Sequence, residues 1–305
     1  MQPVPSHRAR AAGALAAFGA LAALAAALLG VAAIRTETGQ RLDDAGRGDV
    51  SAFDAPGVVR ATSGLLDTIS VASLALLGAG IVVFALLRGR PRLAVAAGVV
   101  LLGANVTTQV VKGAVDRPDL VYGGWTEPGS YPSGHATVAM SLAMTLMIVV
   151  PAALRWTAAL GGCAYAAGVG IAVLTLNWHR PSEVVGAYLV VVAWTGLVMA
   201  ALTLAPGEEA AREPGRVGRA GALVAAGLGG VVAIVLVVAA ARRLDLHQLV
   251  YDRTAFAAAS AVCAAACAGL GAVTTVLVQR ASASPEPGSA VSLPGDARRR
   301  PHGRG

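Results

Sequence analysis

The chain has 305 residues, of which 56% are apolar, 13% charged and 4% aromatic, with a mean hydropathy of +0.66. A soluble domain carries about 25% charged residues, so this chain has too little charge to cover a water-facing surface. It is also too apolar to be disordered over its bulk. The net charge of +7 comes from 24 basic against 17 acidic residues, and Lys112 is the only lysine. No basic patch is interleaved with stacking aromatics, which argues against nucleic acid as a partner. Cys163, Cys263 and Cys267 lie inside apolar runs and read as packing residues, not as a disulfide framework.

A membrane-crossing helix needs about 20 apolar residues. Eight such runs occur, near 11–34, 66–87, 93–111, 136–154, 156–176, 184–204, 220–241 and 254–278. The expected fold is therefore all-α, a polytopic membrane helix bundle, with the lipid bilayer as its first partner. The first run follows His7, Arg8 and Arg10 and exceeds the roughly 7–15 residues of a signal-peptide core, so it reads as a retained helix. With the N-terminus inside, alternating segments place 14 basic residues inside and 10 outside, and five acidic residues inside against twelve outside. The positive-inside rule then puts both termini in the cytoplasm of a multi-pass cell-membrane protein. The expected organisation is an N-terminal segment 1–10, a six-helix core 11–204, a linker 205–219, a two-helix hairpin 220–278 and a disordered basic tail 279–305.

Polar chemistry collects at three places along this pattern. Lys112 and Arg117 follow the third run. Tyr131-Pro132-Ser133-Gly134-His135 precedes the fourth. Asn177-Trp178-His179-Arg180-Pro181-Ser182-Glu183 precedes the sixth. His135 and His179 are 44 residues apart with two apolar runs between them. About 40 helical residues at 1.5 Å each make roughly 60 Å, two crossings, so both histidines return to one face. That face also carries Lys112 and Arg117, and the charge count makes it the outer one.

Each segment has its own physical reading. Ser133 suits an N-cap and Gly134 permits close approach to the backbone, so the free N–H groups and dipole of the following helix form an anion seat. Pro181 suits a first helical turn. Glu183, four residues after His179, is placed to accept an imidazole N–H and fix the tautomer. Lys112 and Arg117 supply cationic donors for a phosphate. Singly, each of these residues reads as a cap or an interfacial anchor. Their co-occurrence on one face, in this order, points to phosphoryl transfer. Asp67 reads as a helix-boundary residue and His247 as part of a solvated outer loop. A metal-dependent hydrolase using His135, His179, Glu183, Asp116 and Asp119 matches no compact ligand spacing, so no metal or cofactor is expected. A transporter should carry charges mid-span, and these runs have essentially none.

At these residues the sequence resembles the type 2 phosphatidic acid phosphatase (PAP2) superfamily, the membrane lipid phosphatases related to the vanadium haloperoxidases. That family carries Lys-x6-Arg-Pro, Pro-Ser-Gly-His and Ser-Arg-x5-His-x3-Asp. Pro132, Ser133, Gly134 and His135 match the second motif in full. In the first, Arg117-Pro118 follows Lys112 after four residues instead of six. In the third, His179 is present, Glu183 replaces the Asp, and Ala172 and Val173 stand where the Ser-Arg pair belongs. The resemblance covers about 65–204 and implies a six-helix core completed by the first run; it does not cover the last two runs, which are expected to be two extra C-terminal transmembrane helices, or the tail. It implies hydrolysis of a membrane lipid phosphate or polyprenyl diphosphate, on the face that the charge count makes extracytoplasmic. His179 would be the nucleophile, Glu183 its orienting partner and His135 the general acid and base. Lys112, Arg117, Ser133 and Gly134 would hold the phosphoryl group, with Arg180 compensating for the missing arginine. The alternative it leaves open is a catalytically weakened or inactive protein that binds lipid phosphate.

Overall fold

A computed structural model describes residues 7–47, 56–67, 69–121, 129–205 and 253–282. Its secondary structure is all helical over those residues. The elements are α1 (His7–Arg35), α2 (Glu37–Ala45), α3 (Pro56–Asp67), α4 (Val71–Leu87), α5 (Pro91–Ala114), α6 (Gly134–Val149), α7 (Arg155–Thr175), α8 (Pro181–Leu204) and α9 (Arg253–Ser282). Five helices are long and apolar enough to cross a membrane: α1, α5, α7 with its preceding turn, α8 and α9. α4 and α6 are apolar but shorter, at 17 and 16 residues. The expected run near 220–241, the linker, most of the tail and His247 lie outside the described residues.

Two expectations need correction. The run near 66–87 is not one helix: α3 ends at Asp67 and α4 starts at Val71. Ser70 and Ser73 form a capping box there, each side-chain oxygen accepting the other residue's N–H at 3.0 and 2.8 Å. The polar stretch after the first run, in which no helix was expected, contains α2, capped by Thr36 accepting from Gly39 N–H at 3.0 Å.

The outer surface is apolar, with Leu21, Leu28, Leu102 and Val110 all more than half exposed. Interior Thr137, Thr145, Thr175, Thr195 and Thr203 each return their hydroxyl to the carbonyl four residues earlier, so these buried polar groups are satisfied. Such satisfaction is obligatory in lipid. α6 runs through the middle, its Met140, Met144, Met147 and Ile148 fully buried against neighbouring helices. α1 lies along α8 where Gly19 meets Gly196. A Cβ added at Gly196 would stand 2.8 Å from Leu15 O, so only small residues let these backbones approach.

The two ends of the bundle differ in chemistry. At one, Arg88 donates to Val149 O (2.5 Å), Trp156 to Gln279 Oε1 (3.1 Å) and Arg155 to Ser282 Oγ (3.0 Å). The other gathers the end of α1, α2, the end of α5, the start of α6, the end of α7 and the start of α8. That second end holds every residue singled out from the sequence for phosphate chemistry.

Candidate active site

His135 sits in the first turn of α6. Ser133 caps that helix, its Oγ accepting Ala136 N–H at 3.4 Å. His179 lies between α7 and α8, where Asn177 takes a left-handed conformation (φ 59°) and the N–H groups of Trp178 and His179 close onto Val173 O. One bond ties the two segments together: Ser133 N–H donates to Glu183 O at 2.9 Å. The imidazole rings face each other edge-on with centroids 6.4 Å apart, and Trp178 stands 5.6 Å from His135. Residues 44 apart in the chain are thus neighbours, as the two-crossing argument requires.

Glu183 organises this centre. Its Oε2 accepts from His179 Nδ1 at 2.6 Å and from Arg180 N–H at 3.2 Å, while its Oε1 accepts from Arg180 Nη1 at 3.2 Å. With Nδ1–H donated to the carboxylate, Nε2 of His179 keeps its lone pair. Lys112 reaches the same place from the last turn of α5: a Cβ added at Gly134 would lie 3.8 Å from its Nζ. An ammonium, a helix N-terminus and two imidazoles therefore converge.

The arginines are placed differently from what spacing alone implied. Arg180 is fully buried, its Nε donating to Asp44 Oδ1 at 2.6 Å and its Nη1 to Glu183. Arg117 is buried beside the same helix, with Nη1 3.5 Å from Asp43 Oδ2 and Nη2 3.7 Å from Asp44 Oδ1. Nη2 has no hydrogen-bond partner. Asp43 also accepts from Ser182, at 2.9 Å from N–H and 2.6 Å from Oγ. Gln40 fastens the arrangement, donating to Ile34 O (2.8 Å) and Pro118 O (2.7 Å) and accepting from Leu120 N–H (3.3 Å). Three cations (Lys112, Arg117, Arg180) thus share the site with three acids (Asp43, Asp44, Glu183), so the expected cationic surplus is neutralised by α2. Asp43, Asp44, Gln40 and Ser182 were not anticipated as site residues. The signal for them was Thr36 followed by Glu37, a helix start inside the polar segment.

Asp43 has a consequence for pH. Burial, reinforced by the charge of Glu183 and opposed by the Ser182 hydrogen bonds, pushes its carboxyl up from 3.8 to about 6. Between about pH 4 and 6 the folded chain then binds more protons here than the unfolded chain. This contribution to stability is full below pH 4 and is lost as pH rises through 6, an effect on the order of 3 kcal/mol. The melting midpoint of detergent-solubilised protein is expected to fall across that window, and Asp43→Asn to flatten the fall. An equal slope in the variant would contradict the assignment.

Among the described residues no group of three His, Cys, Asp or Glu side chains is arranged to hold a metal ion. Asp116 and Asp119 flank the Arg117 loop, and no contact joins them to the histidines. No curated protein and no solved structure matches the chain. A family model does match, that of the PAP2 superfamily, over residues 71–205. The matched segment starts at α4, ends with α8, and contains both histidines, Lys112 and Glu183. This multi-pass membrane protein carries a PAP2 superfamily domain across residues 71–205.

Proposed function

We propose that the protein is an integral-membrane phosphatase acting on a lipid phosphate or polyprenyl diphosphate at the extracytoplasmic face. The observation that carries this reading is the pairing of His135 and His179, with Glu183 on the far nitrogen of His179. Nε2 of His179 attacks phosphorus, forming an N–P bond as the P–O bond to the lipid breaks. His135 gives its proton to the departing oxygen. It then takes a proton from water, whose oxygen attacks phosphorus and releases phosphate and free His179. Lys112 and the α6 N-terminus, with Ser133 and Gly134, face the charge that grows on the phosphoryl oxygens. Such preorganised donors are commonly the largest catalytic contribution. Arg117 supplies a further guanidinium at this end. We assign Arg180 to positioning, because it grips the carboxylate that orients His179. The extracytoplasmic placement follows from the distribution of basic residues.

Phosphate release from a long-chain lipid phosphate by purified protein, with and without His179→Ala, tests the reading. Undiminished release in the variant rejects it.

One observation favours a second reading, a lipid-phosphate binder with little or no turnover. Both arginines are already held by carboxylates, and position 173 is Val where the family places an arginine. Tight binding of inorganic phosphate or vanadate without hydrolysis of any lipid phosphate separates this from the first.

A further inference from the structure

A cavity of about 610 Å³ lies between α1, α5 and α8, a size within the roughly 300–1,000 Å³ range of ligand sites. Its α1 wall is low: Ala23 and Ala27 are small and exposed, and Val31, the next residue on that face, is 59% exposed. The groove therefore opens sideways to the bilayer. Its opposite wall is Trp194, whose indole N–H donates to Thr107 at 3.0 Å and so leaves an apolar ring face. From Ala23 to Arg35 the groove follows α1 for twelve residues, roughly 18 Å.

The upper end of the groove is lined by residues adjacent in the chain to the catalytic cluster. Tyr131 and Pro132 line it and lead directly into Ser133 and His135, while Val111 lines it one residue before Lys112. Tyr131 donates its hydroxyl to Ala26 O at 2.5 Å, which removes that polar group from the wall. Arg35 stands at the mouth. An apolar channel with Arg35 in its lining, whose wall residues Val111 and Pro132 are followed in the chain by Lys112 and Ser133 of the phosphate seat, is the complement of an amphiphile: one hydrocarbon chain, with an anionic head toward the Lys112 end.

We propose that this groove holds a single hydrocarbon chain of the lipid phosphate whose headgroup reaches His179, and that Ala23 and Ala27 set how long and how bulky that chain can be. The proposal rests on the phosphatase reading for the headgroup and goes beyond it for the chain. Ala23→Phe and Ala27→Phe fill the groove at exposed positions, so neither is expected to disturb packing. In lipid nanodiscs, binding of hexadecylphosphonate and methylphosphonate is compared for wild type and both variants, alongside hydrolysis of hexadecyl phosphate and phenyl phosphate. The variants are expected to bind hexadecylphosphonate roughly tenfold or more weakly, with a matching rise in KM for hexadecyl phosphate. Methylphosphonate binding and phenyl phosphate hydrolysis should stay within about twofold. If hexadecylphosphonate affinity is unchanged, or if both phosphonates weaken together, the groove is not the chain site and is filled by bulk lipid. If wild type and variants hydrolyse neither phosphate yet the binding ratio shifts as expected, the phosphatase reading fails and the chain site stands.

Discussion

Replacing His179 by alanine is expected to lower phosphate release on the order of 10⁴-fold or more, as loss of a covalent nucleophile does elsewhere. His179 is 8% exposed and its Nδ1 is held at 2.6 Å by Glu183, which leaves Nε2 as the nitrogen free to attack. His135→Ala should cost less, roughly 10²- to 10⁴-fold, the usual range for a general acid or base. The two variants also differ in kind. With His135 absent, a lipid carrying a good leaving group can still phosphorylate His179, but water is poorly activated, so an acid-labile phosphoprotein should accumulate. Rapid quench in alkali after mixing with a lipid phosphate radioactive in its phosphoryl group checks this. Labelling of the His135→Ala/His179→Ala double variant equal to that of His135→Ala would remove the phosphohistidine from the mechanism.

Arg180→Met is expected to be the most destabilising change at the site, by about 3–5 kcal/mol. Arg180 is fully buried between Asp44 and Glu183, so its removal takes the shortest cationic contact from Asp44 and one from Glu183 in a poorly solvated place, leaving Arg117 and His179 as their remaining partners. Removing one member of a buried ionic cluster costs far more than an exposed pair is worth. Arg180→Lys keeps the charge but has a single ammonium where Nε and Nη1 now reach different carboxylates, so it should recover only part of the loss. Thermal melts in detergent read the stability. A kcat that falls while KM holds would show that Arg180 acts through Glu183 and His179; a rise in KM alone would make it a phosphate ligand.

The histidines were legible because their argument needs only a count of crossings and a motif read in order. Pro132 to His135 and the Glu183 spacing carried the same information in sequence and in space. α2 was not legible for a physical reason. Pattern reading looks for an apolar face turned inward, whereas α2 turns Gln40, Asp43 and Asp44 inward, three and four residues apart on one face. Its partners, Arg117 and Arg180, lie some 70 and 140 residues away, so nothing local announced the cluster. Arg117 and Arg180 were recognised as cations, but their neutralisation depends on that fold-back of α2. The break between α3 and α4 escaped for a simpler reason, since a serine capping box inside an apolar stretch resembles a tolerated pair of small polar residues.

The shortness of α6 bears on how the protein meets its membrane. Sixteen residues rise about 24 Å, whereas the hydrocarbon slab is about 30 Å thick. A slab with one face at the Val149 end, where Arg88 donates to Val149 O, would cover the turn bearing His135 by several ångströms at its other face. On the proposed phosphatase reading a headgroup would descend to be cut, or the leaflet would dimple to deliver it. Hydrophobic mismatch of this kind costs fractions of a kcal/mol per ångström, so thinner bilayers should lower the toll on each encounter. On the proposed phosphatase reading, acyl length of the surrounding lipid is expected to control turnover separately from the identity of the substrate.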